Sequence, residues 1–155
     1  MKEVEIMEPS QIPYVWHEVK PMVDEALVHS NGELLSTDLL SDLLAGGLVL
    51  LLGKQDDEIC SSLIAEYQEH PRKKSIYIIA WTTKNRRGFD DWADLLEDKL
   101  ISIAKELECD FLETQCRKGL AKKIRTQYGW THEYSVITKP ITYNNGKEII
   151  EERLN

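Results

Sequence analysis

The stretch Ser75–Leu107, SIYIIAWTTKNRRGFDDWADLLEDKLISIAKEL, decides the fold class. Its opening, Ser75 to Thr83, is rich in β-branched and aromatic residues, which suit a half-buried pleated strand. Asn85-Arg86-Arg87-Gly88 then interrupts the pattern. From Phe89 the period changes. Phe89, Trp92, Leu96, Leu100, Ile103 and Leu107 recur every three or four residues, the spacing of one buried helix face running to Glu108. A strand, a glycine turn and a long helix in succession point to a layered α/β chain.

Upstream, Met1–Met7 alternates weakly through Val4 and Ile6 and reads as a strand. Pro13 marks a first helical turn, followed by Val15, Val19, Met22 and Ala26 at helical spacing, with Asn31-Gly32 as the stop. Pro21 lies inside that pattern and predicts a kink or a restart. Ser36 reads as the N-cap of a second helix through Leu39, Leu40, Leu43 and Leu44 to Gly46-Gly47. Leu48–Leu52 is a buried strand, and Lys54–Glu58 is a polar hairpin turn. Ile59–Glu69 alternates, with Ile59, Leu63, Ala65 and Tyr67 on one face and Ser62, Glu66 and Gln68 on the other. Pro71 marks the turn before Ser75.

Downstream, Phe111–Cys116 reads as a strand and Lys118–Gln127 as a short basic helix. Trp130–Lys139 reads as a last strand with Trp130, Tyr134 and Val136 on one face. The order is β-α-α-β-β-β-α-β-α-β, a mixed-sheet α/β (α+β) fold. One domain is expected over residues 1–143, with a turn at Asn144-Asn145-Gly146 opening a charged tail over 144–155.

At 155 residues, 42% hydrophobic and 30% charged, the chain has the composition of a globular domain that needs no disulfide or metal staple. Lys and Arg number 19 against 27 Asp and Glu, a net charge of −8. Such a balance repels phosphate backbones and disfavours general nucleic-acid binding. The longest apolar run, Leu48–Leu52, is far short of a bilayer span, and the charged N-terminus has no signal-peptide pattern. Neither secretion nor membrane insertion is expected. Cys60, Cys109 and Cys116 match no zinc spacing and read as buried, reduced thiols of a cytoplasmic protein. His17, His29, His70 and His132 are scattered, with no ligand cluster, so no metal site is expected.

The element order resembles the GNAT-type N-acetyltransferase fold over residues 1–140. In that family the fourth strand splays from the fifth, and acetyl-CoA lies in the cleft. The loop before the long helix carries Arg/Gln-x-x-Gly-x-Gly/Ala and holds pyrophosphate on backbone amides at a helix start. The resemblance therefore implies that Arg86, Arg87 and Gly88 hold the cofactor, with Trp81, Thr82 and Thr83 offering backbone amides to the thioester. Asn85 replaces the leading residue of the pattern, and Asp90 stands at its last small position, with Asp91 and Asp94 following. Carboxylates there occupy the field a pyrophosphate would use.

The family's second motif is Asn-x-x-Ala-x-x-Leu-Tyr-x-x-x-Gly-Phe, whose Tyr protonates the departing thiolate. Laying Gly129-Trp130 on its end puts Ala121 on the Ala, Ile124 on the Leu, Lys118 on the Asn and Arg125 on the Tyr. Arginine cannot serve as a general acid. Tyr128, three residues on, is the remaining candidate acid, and Glu66, with Glu113 second, the candidate base.

Apolar framing positions agree with the family while proton-moving ones differ. The expectation is a GNAT-like protein with weak or lost acetyl transfer that works by binding. It is most similar to the small divergent GNAT-like proteins of bacteriophages, in host cytoplasm or virion. The alternative is an active N-acetyltransferase using acetyl-CoA on an amine. Lys118, Lys122, Lys123 and Arg125 make the Lys118–Gln127 helix the expected face for a protein partner.

Overall fold

A computed structural model describes residues 1–28, 32–84, 88–116 and 118–143. The chain divides into two compact units, Met1–Leu120 and Ala121–Asn155. The first unit holds a sheet in the order β1 (Lys2–Met7), β2 (Val49–Gln55), β3 (Glu58–Glu69), β4 (Lys74–Thr83), β5 (Phe111–Thr114). The first three neighbour pairs are antiparallel, whereas β4 and β5 run parallel. Helices α1 (Ile12–Leu27) and α2 (Ser36–Leu44) join β1 to β2, and α3 (Phe89–Glu106) joins β4 to β5. Helix α4 (Lys118–Gln127) follows β5 and crosses into the second unit.

Alternation along β2 separates two cores. Leu50 and Leu52 join a cluster with Val19, Met22 and Val23 of α1, Leu39 and Leu43 of α2, Ile64 of β3 and Ala80 of β4. Leu51 and Gly53 point the other way, towards α3. A Cβ on Gly53 would stand 2.6 Å from Cε3 of Trp92, so the indole lies directly on the β2 backbone. Burial along α3 falls on Trp92, Ala93, Leu96, Leu100 and Ala104.

Several expectations change in detail. Leu107 is 44% exposed, and Ile103 is half-buried. Both border an apolar groove with Ala65, Tyr67 and Ile76. The helix stops two residues early, at Glu106, and small Ala104 ends the buried row in place of Leu107. The Cys109 amide donates to the Ala104 carbonyl at 2.8 Å across Glu108, whose φ is +58°. That is a left-handed helix end built on a residue with a Cβ. Ser36 does not cap α2: Leu35 does, its amide donating to Asp38 Oδ2 at 2.9 Å. The buried Ser36 hydroxyl bonds Asp24 of α1 instead. Lys20 first, and Ser36 second, hold the Asp24 carboxyl below its ordinary range. Helix α1 runs unbroken through Pro21. The hairpin turn tightens to Asp56-Asp57, both with positive φ, a type I′ geometry.

The expected last strand is absent. Residues 129–143 carry no regular structure, and Tyr134, Val136, Ile137 and Ile141 are 59–91% exposed. Strand propensity alone does not make a strand; a ladder partner does, and none of the described strands pairs with this segment. The expected tail over 144–155 lies outside the described residues. The three cysteines are half-buried rather than buried and form no disulfide. Among the described residues no helix is long and apolar enough to cross a membrane.

Candidate functional site

Strand β4 has two neighbours of unequal length. Its pairing with β3 runs from Lys74 to Thr83, but its pairing with β5 covers only Ser75–Ile78 against Phe111–Thr114. The Thr114 hydroxyl closes that short ladder by donating to the Ile78 carbonyl at 3.0 Å. Beyond Ile78 no described strand lies on this side of β4. The sheet opens there.

A β-bulge sits at the same point. The register on β3 steps from Ala65↔Ile78 to Ile64↔Ala80, which leaves Ile79 as the extra residue. One extra residue exchanges which amides face each way. Before it, the Lys74 and Ile78 carbonyls accept bonds from the β5 side, from Asp110 N at 2.8 Å and from Thr114. After it, the Lys84 amide donates to Cys60 on β3 at 2.9 Å. Alternate residues send their amides the same way, so Thr82 and Lys84 face β3 while Trp81 and Thr83 face the open edge. Ser61 fixes this end of the strand: its hydroxyl donates to the Thr82 carbonyl at 2.8 Å and lies 3.2 Å from Thr83 Oγ1.

The resemblance implies a thioester-binding role for Trp81–Thr83, and the structure places all three on β4 beside its open edge. The bulge lies two residues earlier than Trp81, and the outward donors are Trp81 and Thr83, without Thr82. The Trp81 ring meets Phe89 at 4.9 Å between centroids, tying the end of β4 to the start of α3. The Trp81 indole N–H is buried with no hydrogen-bond partner among the described residues. Buried polar groups are almost always satisfied, so this donor is an exception among the described residues.

Gly88 is the N-cap of α3, with φ −81° and no side-chain cap. Asp90 and Asp91 fill the first turn, both exposed. Arg86 and Arg87 lie outside the described residues.

Glu66 follows Ile64 by two residues on β3 and so shares its face, the one covered by α1 and α2. It is half-buried and stands directly across from Tyr77 of β4. Glu113, on β5, is paired with Tyr77 on the other side. Tyr128 belongs to the second unit, half-buried just past α4, its amide donating to the Ile124 carbonyl at 3.0 Å. His70 Nε2 lies 3.3 Å from the buried Ser75 hydroxyl, a brace across the β3–β4 turn.

Sequence reasoning missed Ile79, Tyr77 and Ser61. Tyr77 was accessible through alternation once β3 and β4 were paired. Ile79 carries no local signal, since a bulge is a property of two strands. Among the described residues no group of three or more His, Cys, Asp or Glu is placed to hold a metal ion.

A five-stranded sheet whose parallel pair opens at a bulge in β4, with α1 and α2 on one face and α3 on the other, is the deciding observation. The fold is that of the GNAT-type N-acetyltransferases. An aminoglycoside acetyltransferase from an uncultured soil metagenomic sample matches with a TM-score of 0.66 at 16% identity, over 92% of this chain and 99% of its own. A predicted acetyltransferase from Clostridium acetobutylicum, solved with acetyl-CoA, matches with 0.62 at 17% identity, over 89% and 96%. A ribosomal-protein-alanine N-acetyltransferase from Brucella melitensis matches with 0.65 at 11% identity, over 92% and 100%. At these identities the likeness is one of GNAT architecture. No protein-family model and no curated protein matches the sequence.

Proposed function

We propose that this chain holds an acyl thioester along the open edge of β4 and transfers the acyl group slowly or not at all, serving as a binding protein. The observation that carries this reading is the bulge at Ile79, which aims the Trp81 and Thr83 amides away from β3 where β5 has ended. Outward amides in a fixed strand need no reorganisation to receive a carbonyl. Acetyl-CoA would supply an activated acetyl group there. The residues that would move protons are less well provided: Arg125 stands where the resemblance places an acid, and arginine is not a general acid.

A second reading, an active N-acetyltransferase, is favoured by Glu66. It sits one register step from the opening, on the α1 and α2 face, where a carboxylate can accept a proton from an ammonium acceptor directly or through water. The likeness to small phage proteins rests on sequence alone and carries no part of either reading. A protein partner would meet α4, where Lys122 and Arg125 are exposed.

Calorimetry with acetyl-CoA and thiol release with small amines and peptides test both. We expect measurable binding with turnover far below 1 s⁻¹. A turnover of about 1 s⁻¹ or more, inside the ordinary enzyme range, and its loss in Glu66→Gln would select the active enzyme. No heat at millimolar acetyl-CoA or acetyl-pantetheine would remove both readings.

A further inference from the structure

The chain's negative charge is concentrated in its first third. Residues 1–58 hold 12 Asp and Glu against three Lys, a net −9, which leaves residues 59–155 at +1. All three lysines are engaged: Lys20 with Asp24 at 2.8 Å, Lys54 with Glu5 at 2.7 Å, and Lys2 with the Asp91 carbonyl at 3.3 Å. Helix α1 runs through this acidic region. It buries Ile12, Val19, Met22 and Val23 in the core. Helical spacing puts Tyr14, Pro21 and Val28 in one line on the opposite face, with Glu18 and Glu25 beside it. Tyr14 is 81% and Val28 74% exposed, and Glu18, Pro21 and Glu25 are exposed too. The Glu18 carboxylate lies 3.6 Å from His17 Nε2. Pro21 has no N–H, so the His17 carbonyl one turn earlier lacks its α-helical donor on this same face.

We infer that the outward face of α1 docks a cationic amphipathic segment of another protein, one that sets Lys or Arg beside apolar side chains at helical spacing. Tyr14, Pro21 and Val28 supply the apolar line, and tyrosine is a residue type that anchors interfaces. Glu18 and Glu25 flank it with the charge that pairs with cations, and the His17 carbonyl accepts a further donor. The surrounding −9 speeds encounter with a basic partner. The same field repels nucleic acid and anionic lipid surfaces. This face is opposite the side chains that α1 packs into the core, so the inference stands apart from thioester binding at β4.

The test follows fluorescence anisotropy as the full chain is titrated into a labelled Leu/Lys peptide of about 18 residues, patterned as an amphipathic helix. Binding is measured at about 50 mM and about 500 mM NaCl. A Leu/Glu peptide of the same pattern should not bind. Glu18→Lys with Glu25→Lys should weaken Leu/Lys binding by at least about 10-fold at low salt and much less at high salt. Tyr14→Ser should weaken it about 5-fold or more at both. Asp98→Lys with Glu106→Lys makes the same charge change at exposed positions of α3 and should have a far smaller effect. All these positions are exposed, and an unchanged melting temperature in each variant reports an intact fold. Equal losses in the two charge-reversed pairs overturn the inference, because net charge alone would then explain the binding. Full affinity in Tyr14→Ser overturns it as well. Light scattering on the chain alone checks the other occupant: a dimer that Glu18→Lys with Glu25→Lys dissociates would give this face to a second copy, and the inference would fall.

Discussion

The two halves of β4 have much the same composition and very different surroundings. Lys74–Ile78 lies between β3 and β5, whereas Ile79–Thr83 is flanked by β3 alone. Nothing in the strand's own residues announces the difference, since KSIYI and IAWTT are both largely apolar or β-prone. The difference comes from the neighbour: β5 is four residues long and simply ends. The bulge then converts an edge that merely lacks a partner into one whose amides are aimed. Strand length and register make the candidate site, with side-chain identity secondary.

The largest expected effect separates the halves by packing. Ile78, 2% exposed between two strands, should cost about 2–5 kcal/mol when cut to Ala, while half-buried Ile79 should cost clearly less. Urea unfolding measures both, and equal costs would erase the distinction.

A pair of prolines sharpens it further. Thr82→Pro removes an amide that faces β3 and leaves its carbonyl partner short of a donor, at a cost of about 1–3 kcal/mol. Thr83→Pro removes an outward amide, so the fold should suffer less than in Thr82→Pro, while acetyl-pantetheine binding weakens. The opposite ranking would show that the bulge does not set the amide directions as derived.

The smallest effect concerns the turn that launches β5. Glu108 holds a φ of +58°, which glycine adopts without strain. Glu108→Gly should raise stability by about 1 kcal/mol, read as a higher melting temperature. Ligand binding should not change, because the junction gets firmer while β5 gets no longer.

Elements whose signals are local were readable. The described strands and helices follow from periodicity, the C-terminal end of α2 from Gly46-Gly47, and the β2–β3 hairpin from its polar turn. Those whose signals are shared between segments were not. Trp130–Lys139 has strand-like alternation, but a strand exists only with a ladder beside it. Ser36 looks like a cap until Asp24, from another helix, takes its hydroxyl. Within the site, the position of Trp81–Thr83 was legible from element order. Which of their amides point outward depends on Ile79, and so on β3.

Gly53 carries a consequence of another kind. Because the Trp92 ring rests on its backbone, any side chain at position 53 forces α3 away from the sheet, and with it Phe89 and the Trp81 contact. Replacing Trp92 with a smaller residue first would open the room that a Cβ at 53 needs. The two positions are therefore coupled, and the order of change matters. A descendant of this chain can lose the tryptophan and then the glycine, but the reverse itinerary passes through a clash. Two neighbouring homologues that differ at both positions would have travelled by the same single road.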